Sequence, residues 1–509
     1  MPVFLPAFFP SDRDSPGKRH PGAERNDPLP TRLFAALGAA IRDGKIREGE
    51  ALPSTRQAAE LLGLSRSTVT IAYDLLRAEG LIVMQPGKRP AICLPVARPS
   101  PERSSAAPAL SRRGDRLSRD LRAQSYVTPQ GRLSPGVPDE TRFPADLWAQ
   151  TLRRHARQAH GDEAGYGAYH GTRALREALS ERLAQDRGCR IEPDQIVITP
   201  GTQASLSLIA QVMTDPGDYV AMEDPGYLGA RASFIAAGNR ILPVPIDHEG
   251  MMVEHLPDRA RLVYITPSNQ FPLGGRMGLS RRLALLEQAR AQNALILEDD
   301  YDSEFLWHGR EIASLAAHSR GTECLYLGSA SKTLIPGLRL GWIAAPASLV
   351  APLQAAHRTF GYAANLHAQL ALASLMRSGQ YRIHLRRIAR IYQQRGLALY
   401  EALRCVDGVR VTPPYGGVQL GLSLTRTGYE RACLDALAMA GYRAGGLSAL
   451  CLKTSREGLI IGFATLRPDD PGRIAGILAN CLRGPIRKER REGEIKEAGE
   501  NDGTNATHE

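Results

Sequence analysis

The sequence predicts two folded units of different class: a small, mostly helical head that ends in a hairpin, and a large α/β domain behind it. Three observations predict them. Apolar residues recur at helical spacing between about residues 28 and 95, with capping residues in front of the helices. From about 128 to 484, strand-like and helix-like runs alternate, as in an α/β fold with a mostly parallel sheet. Between them lies a stretch rich in Arg, Ser, Pro and Ala. A length of 509 residues calls for more than one domain, and 43% apolar residues suffice for large cores.

The formal charge is +11, from 64 basic and 53 acidic residues. That raises nucleic acid as a partner without identifying it. Seven scattered cysteines, with no CxxC pair, speak for a reducing compartment and against a disulfide framework or a zinc site. No run approaches the roughly 18 apolar residues of a membrane span. A cytoplasmic protein without membrane association or structural metal is expected.

Residues 1–27 mix Pro, Gly, Arg and Asp without periodicity and read as disordered. The head follows at 28–95. RLFAALGAAIRDG carries a stripe of Leu33, Leu37, Ala40 and Ile41, and Gly44 closes the helix. Pro53 and Ser54 open a second helix, and Ser54 with Gln57 matches a capping box. Gly63 stops it. Ser65 caps a third helix, SRSTVTIAYDLLRAEG, whose inward face is Val69, Ala72, Tyr73 and Leu76 and whose other face starts with Arg66, Ser67 and Thr70. LIVMQPGKRPAIC then reads as two short strands about a Gly-Lys-Arg tip. Helix, turn, helix and basic hairpin describe a winged helix-turn-helix. Such a recognition helix offers its first residues to base edges, where Arg66 can bond guanine; Lys88 and Arg89 can reach phosphate. A small helical interaction domain with ordinary surface charge is the other reading of this pattern.

The stretch LPSTRQAAELLGLSRSTVTIAYDLLRAEGLI resembles the DNA-binding domain of the GntR family of bacterial repressors. The resemblance implies contacts to double-stranded operator DNA by Arg56, Arg66, Ser67, Thr68 and Thr70, with Gly87 and Lys88 in the wing. Residues 96–127 follow, with seven basic and three acidic residues between Arg98 and Arg122, and read as a flexible basic linker.

In the large domain, IVITPGTQASLSLIAQVM places Gly201, Thr202 and Gln203 where a strand gives way to a helix, a turn whose free N–H groups suit a phosphate. YVAMEDPGYLG puts Tyr227 after a strand and a Pro-Gly turn. RLVYITPSNQFPLGG ends a strand at Asn269. ALILEDDYDSEF ends another with Asp299 and Tyr301. The run Cys324 to Leu327 leads into GSASKTLIPGLRLG, which carries Ser329, Ser331, Lys332 and Arg339. Ligands bind beyond the carboxyl ends of strands in open α/β sheets. Pyridoxal phosphate would use the whole set: Lys332 for a Schiff base to its aldehyde, Asp299 for its ring nitrogen, and Asn269 and Tyr301 for its phenolic oxygen. Tyr227 would stack on the ring, and Gly201, Thr202, Gln203, Ser329 and Arg339 would hold the phosphate.

The same positions, with YGAYHGTRALREALSERL and EDPGYLG, resemble the class I aminotransferases of fold type I. A GntR-like head joined to such a domain looks like the MocR subgroup of transcriptional regulators. That resemblance implies a dimerising sensor of pyridoxal phosphate, or of an amino compound that reacts with it, and hence a homodimer on DNA. Aminotransferases also grip the substrate carboxylate with a late Arg. Near that point EGLIIGFATLRPDD has Ile460 and Ile461, and Arg456 and Arg467 are the nearest candidates. Three functions remain: a pyridoxal phosphate-responsive regulator, a working aminotransferase with a DNA-tethering head, and a DNA-binding protein whose large domain only dimerises. Residues 485–509 read as a disordered charged tail.

Overall fold

The structure is a computed structural model that describes Leu5, Phe9, residues 27–85, 87–93, 109–119, 131–165, 169–305, 307, 313–320 and 323–484. The chain divides into two compact units, 1–109 and 110–509.

The first unit is three helices and a hairpin: α1 (Leu29–Arg42), α2 (Thr55–Leu62), α3 (Arg66–Ala78), then β1 (Ile82–Val83) paired antiparallel with β2 (Ala91–Ile92). Both N-cap residues are where expected, though of the capping box expected at Ser54 only the Ser54 half is found. Ser54 Oγ accepts from Gln57 N, and Ser65 Oγ accepts from Thr68 N at 3.1 Å. Gly63 ends α2 in the left-handed conformation, φ 64°, which a residue without Cβ reaches at no steric cost. Val69, Ala72, Tyr73 and Leu76 repeat at three- and four-residue spacing on α3 and are fully buried. Tyr73 also donates its hydroxyl to Pro53 O, tying α3 to the turn before α2. Leu5 and Phe9 lie in this core as well, two anchors from the N-terminal stretch that has no helical or strand periodicity. The rest of residues 1–26 falls outside the described residues, as do most of the expected linker and the whole expected tail. Within the linker, Arg112–Ser118 is a short helix capped by Ser111, whose hydroxyl accepts from Gly114 N.

The second unit is a mixed eight-stranded sheet, flanked by helices, and a separate four-stranded antiparallel sheet. The large sheet contains β3 (Ile196–Thr199), β4 (Tyr219–Asp224), β5 (Arg240–Asp247), β6 (Gly250–Met251), β7 (Leu262–Ile265), β8 (Leu295–Asp300), β9 (Cys324–Ser329) and β10 (Gly341–Ala344). Its order is β3-β10-β9-β8-β7-β4-β5-β6. Strands β9, β8, β7, β4 and β5 pair in parallel. The reversed strand β10 lies between β3 and β9, so β3 runs in the same sense as β9. Strands β3, β7, β9 and β10 are buried along their whole length, which requires both faces of the sheet to be covered. The small sheet has the order β11-β12-β14-β13, with β11 (Val409–Val411), β12 (Gln419–Leu424), β13 (Gly445–Gly446) and β14 (Gly458–Gly462).

One expected strand end moves. β7 stops at Ile265, so Asn269 stands four residues into the following loop. The ladder ends there because Thr266 turns to Glu223, giving both its N–H and its hydroxyl to that carboxylate.

Candidate cofactor site and nucleic-acid interface

Because six strands, β3 among them, run in one sense, their carboxyl ends share one edge of the sheet. Register fixes one end of that edge. Gly341 pairs with Thr199 on one side and Ser329 on the other, so the last residues of β3 and β9 stand abreast of the first of β10. A Cβ on Gly341 would come within 3.0 Å of Gly201 Cα, so only glycine lets the β3 turn pass so close. Gly201 itself sits at φ 97° and opens the helix Thr202–Met213, which no side chain caps. That leaves its first N–H groups to face the edge. Arg339, held at φ 52°, brings its guanidinium to within 3.3 Å of where a Gly201 Cβ would be. Ser329 Oγ hydrogen-bonds Ser331 Oγ and accepts from Ser331 N. Backbone donors, two hydroxyls and a guanidinium thus converge where β3, β9 and β10 meet.

Beside them is a cavity of about 230 Å³. Its lining includes Tyr227, Asp299, Tyr301, Ser329, Lys332 and Arg339 from the expected set, along with Thr202 and Gln203. Lys332 Nζ donates to Gly136 O at 2.5 Å. Asp299 is 4% exposed and accepts a 2.7 Å hydrogen bond from the Tyr264 hydroxyl. Burial pushes its carboxyl up to about 6, against the pull of Tyr264 and Lys332. Tyr227 meets Phe271 edge-on at 5.4 Å, and Phe271 meets Tyr301 in the same way at 6.1 Å, so three rings form one wall.

Three expected residues stand elsewhere. The Asn269 side chain does not line the cavity; it donates to Asp302 Oδ2 at 2.7 Å, while its backbone carbonyl accepts from the Tyr301 hydroxyl at 3.1 Å. Arg456 donates to Ile246 O, and Arg467 is exposed, its backbone N–H bonded to Asp470. Neither lines the cavity. Gln203 contributes its chain position, but its amide is turned to Gly229 O and Ser233 Oγ. Conversely, Tyr264, Gly136, Phe271, Asp302 and Gln419 have no signal in the local pattern. Only the acid-rich string Glu298 to Asp302 hints that one of its carboxyls is neutral, and burial pushes Asp302 up to about 8.

The donor set fits pyridoxal phosphate. A cationic N–H opposite Asp299 would offset the burial that raises its pKa. An uncapped helix start beside an Arg and two Ser suits an anion. A Lys amine stands on the cavity wall between them.

On the first unit, Arg66, Ser67 and Thr70 are exposed on the side of α3 opposite its buried face. Thr70 returns its hydroxyl to Arg66 O at 2.9 Å. Ser67 and Thr68 hydroxyls both bond Ser65 Oγ, so the capping residue also orients the first turn. Arg56 on α2 is exposed and pairs with Glu60 at 3.5 Å, a solvated pair that contributes little to stability. Gly87 turns the wing at φ 76°, with Lys88 and Arg89 exposed beside it.

Residues 128–442 match the family described as aminotransferase class I and II, and residues 29–92 match bacterial regulatory proteins, gntR family. Over 450 residues the chain is 34% identical to the probable rhizopine catabolism regulatory protein MocR of Rhizobium meliloti, spanning 87% of this chain and 91% of that one. It is 29% identical over 438 residues to the pyridoxine biosynthesis transcriptional regulator PdxR of Corynebacterium glutamicum, spanning 86% and 92%. Among solved structures, kynurenine aminotransferase of Pyrococcus horikoshii, in complex with PMP, superposes with a TM-score of 0.66 at 27% identity, over 71% of this chain and 93% of that one.

Proposed function

Since the chain belongs to the MocR-like regulators, with a gntR-family helix-turn-helix head and an aminotransferase class I and II domain, we propose that it binds pyridoxal phosphate on Lys332 and that the state of this site controls its grip on DNA. The observation that carries this reading is the convergence of Lys332, Asp299, Tyr301 and Arg339 on one cavity in a chain that also holds a recognition helix.

Bound there, pyridoxal phosphate supplies an aldehyde that an amine can bond and a ring that draws electrons. Thr202 N–H, Ser329, Ser331 and Arg339 would hold the phosphate. Asp299 would keep a proton on the ring nitrogen, and that cationic N–H would hold the carboxylate ionised in spite of its burial. Tyr227 and Phe271 would cover the ring and keep water from it. Tyr264 orients Asp299 through its hydroxyl. On the head, Arg66 would read a base, Arg56 and Lys88 would meet phosphate, and two heads in a homodimer would read a repeated site. A protein of this kind works in the cytoplasm.

The second reading, a working aminotransferase, draws on the fold. It lacks support at the carboxylate clamp, where Ile460 is buried and neither Arg456 nor Arg467 lines the cavity. Footprinting on the DNA flanking the protein's own gene tests the proposal. Protection that changes on adding pyridoxal phosphate is expected; an identical footprint with and without it would contradict the regulatory role.

A further inference from the structure

We infer that Gln419 reads the distal end of the small molecule that enters this cavity, and that this end is an uncharged hydrogen-bonding group, a carboxamide or hydroxyl, rather than a carboxylate. The inference rests on the reading of the cavity as a pyridoxal phosphate site.

Gln419 is the first residue of β12, where its backbone is fixed opposite Gly462 of β14. It is 7% exposed and lines the cavity. Both polar atoms of its amide, Nε2 and Oε1, are buried with no hydrogen-bond partner. A buried amide with neither end satisfied is unfavourable and becomes favourable once a ligand supplies both a donor and an acceptor. Its position relative to the reactive amine is also set. A Cβ on Gly136 would stand 2.8 Å from Lys332 Nζ and 3.5 Å from Gln419 Oε1, so the two side chains converge on the same glycine. A molecule whose amine lies near Nζ therefore brings a group two or three bonds away within reach of Gln419.

The charges point the same way. Among the described lining residues the charged ones are Asp299, Lys332 and Arg339. Arg339 stands at the Gly201 turn, at the phosphate end, and Asp299 is held by Tyr264. Beside Gly136 the chain continues from the uncharged Pro135, which also lines the cavity. Ile460 stands behind Pro135: a Cβ on Gly445 would lie 3.2 Å from Pro135 Cγ and 3.9 Å from Ile460 Cδ1. A carboxylate placed here would lose its hydration, and the cation beside it, Lys332, is committed to the cofactor on the reading above. The carboxylate could accept from Nε2 but would face the lone pairs of Oε1. A carboxamide or hydroxyl can donate to Oε1 and accept from Nε2 at once.

The test uses the full-length protein loaded with pyridoxal phosphate and calorimetric titration with two matched pairs, glycinamide against glycine and β-alaninamide against β-alanine. At least one amide should bind about tenfold or more tightly than its acid, because a site built on hydrogen bonds rejects the analogue that cannot complete them. Gln419→Leu should abolish the ratio. Gln419→Glu should confer binding of 1,3-diaminopropane, a gain that misfolding cannot mimic. Preference for either acid, absence of binding by all four probes, or a ratio unchanged in Gln419→Leu would overturn the inference while leaving the cofactor assignment intact. Failure of borohydride to fix the cofactor on Lys332 before any probe is added would remove both.

Discussion

Asn269 gives its side-chain amide to Asp302, at 2.7 Å, and not to the cavity that it borders in sequence. The pair is buried, and Asp302 has its carboxyl pushed up to about 8, first by burial and then by Asp300. At neutral pH the folded chain therefore keeps Asp302 protonated, whereas the unfolded chain releases that proton near 3.8. The folded state binds the extra proton, so this group's contribution is full below about pH 4 and is lost as pH rises towards 8. Glu223, at about 7, and Asp299, at about 6, act in the same direction. Asp302→Asn should flatten part of the fall in stability of the cofactor-free protein between pH 5 and 8.5, by on the order of a few kcal/mol. Denaturant midpoints at the two pH values check it; parallel curves for variant and parent would refute the assignment.

Gly417 holds that pair from the other side. At φ 83°, it has no room for a side chain: a Cβ would lie 2.5 Å from Asp302 Oδ2 and 2.8 Å from Asn269 Nδ2. Gly417→Ala should cost roughly 2–4 kcal/mol, from clash and backbone strain together. Gly472→Ala, in the helix Asp470–Arg483 with open space around it, should be neutral or stabilise by about 0.5–1 kcal/mol. Chemical denaturation of the two variants side by side reads the difference.

The head separates folding from recognition. Ser65→Ala removes the cap of α3 and should destabilise the first unit by about 1 kcal/mol. Arg66→Ala touches an exposed side chain and should leave stability unchanged while weakening operator binding by roughly 1–3 kcal/mol. Fluorescence anisotropy on the footprinted site measures the second effect, and unchanged affinity would remove Arg66 from the interface.

The head was legible because its signals are local. A cap, a stripe of Val69, Ala72, Tyr73 and Leu76, and a glycine stop all act within a few residues, and each is where the pattern puts it. The end of β8, with Asp299, and the loop after β9, with Lys332, were legible for a similar reason: an apolar run that must be buried on both faces gives way to polar residues. Asn269 misled because the end of β7 is set by Glu223, which lies more than forty positions upstream. The partners of the site were invisible for the same cause. Gly136 meets Lys332 across 196 positions of chain, and Gln419 arrives from a different sheet. Leu5 and Phe9 join the head core without any periodicity to announce them.

Arg339 and the Gly201 turn can be tested as one unit. Arg339→Ala removes the guanidinium, and Gly201→Ala places a methyl 3.3 Å from it at a φ that disfavours any side chain. Each should weaken retention of pyridoxal phosphate by about tenfold or more, as expected for loss of a charge-assisted contact. Equilibrium dialysis reads the dissociation constant, and retention equal to the parent's would displace the phosphate from this corner.

Borohydride reduction of the cofactor-incubated protein, followed by peptide mapping, tests the central assignment most directly. The chain has only seven lysines, at 18, 45, 88, 332, 453, 488 and 496, so the modified position is unambiguous. A phosphopyridoxyl group on Lys332, absent from Lys332→Ala, is the predicted result. A group on another lysine, or on none, would contradict it.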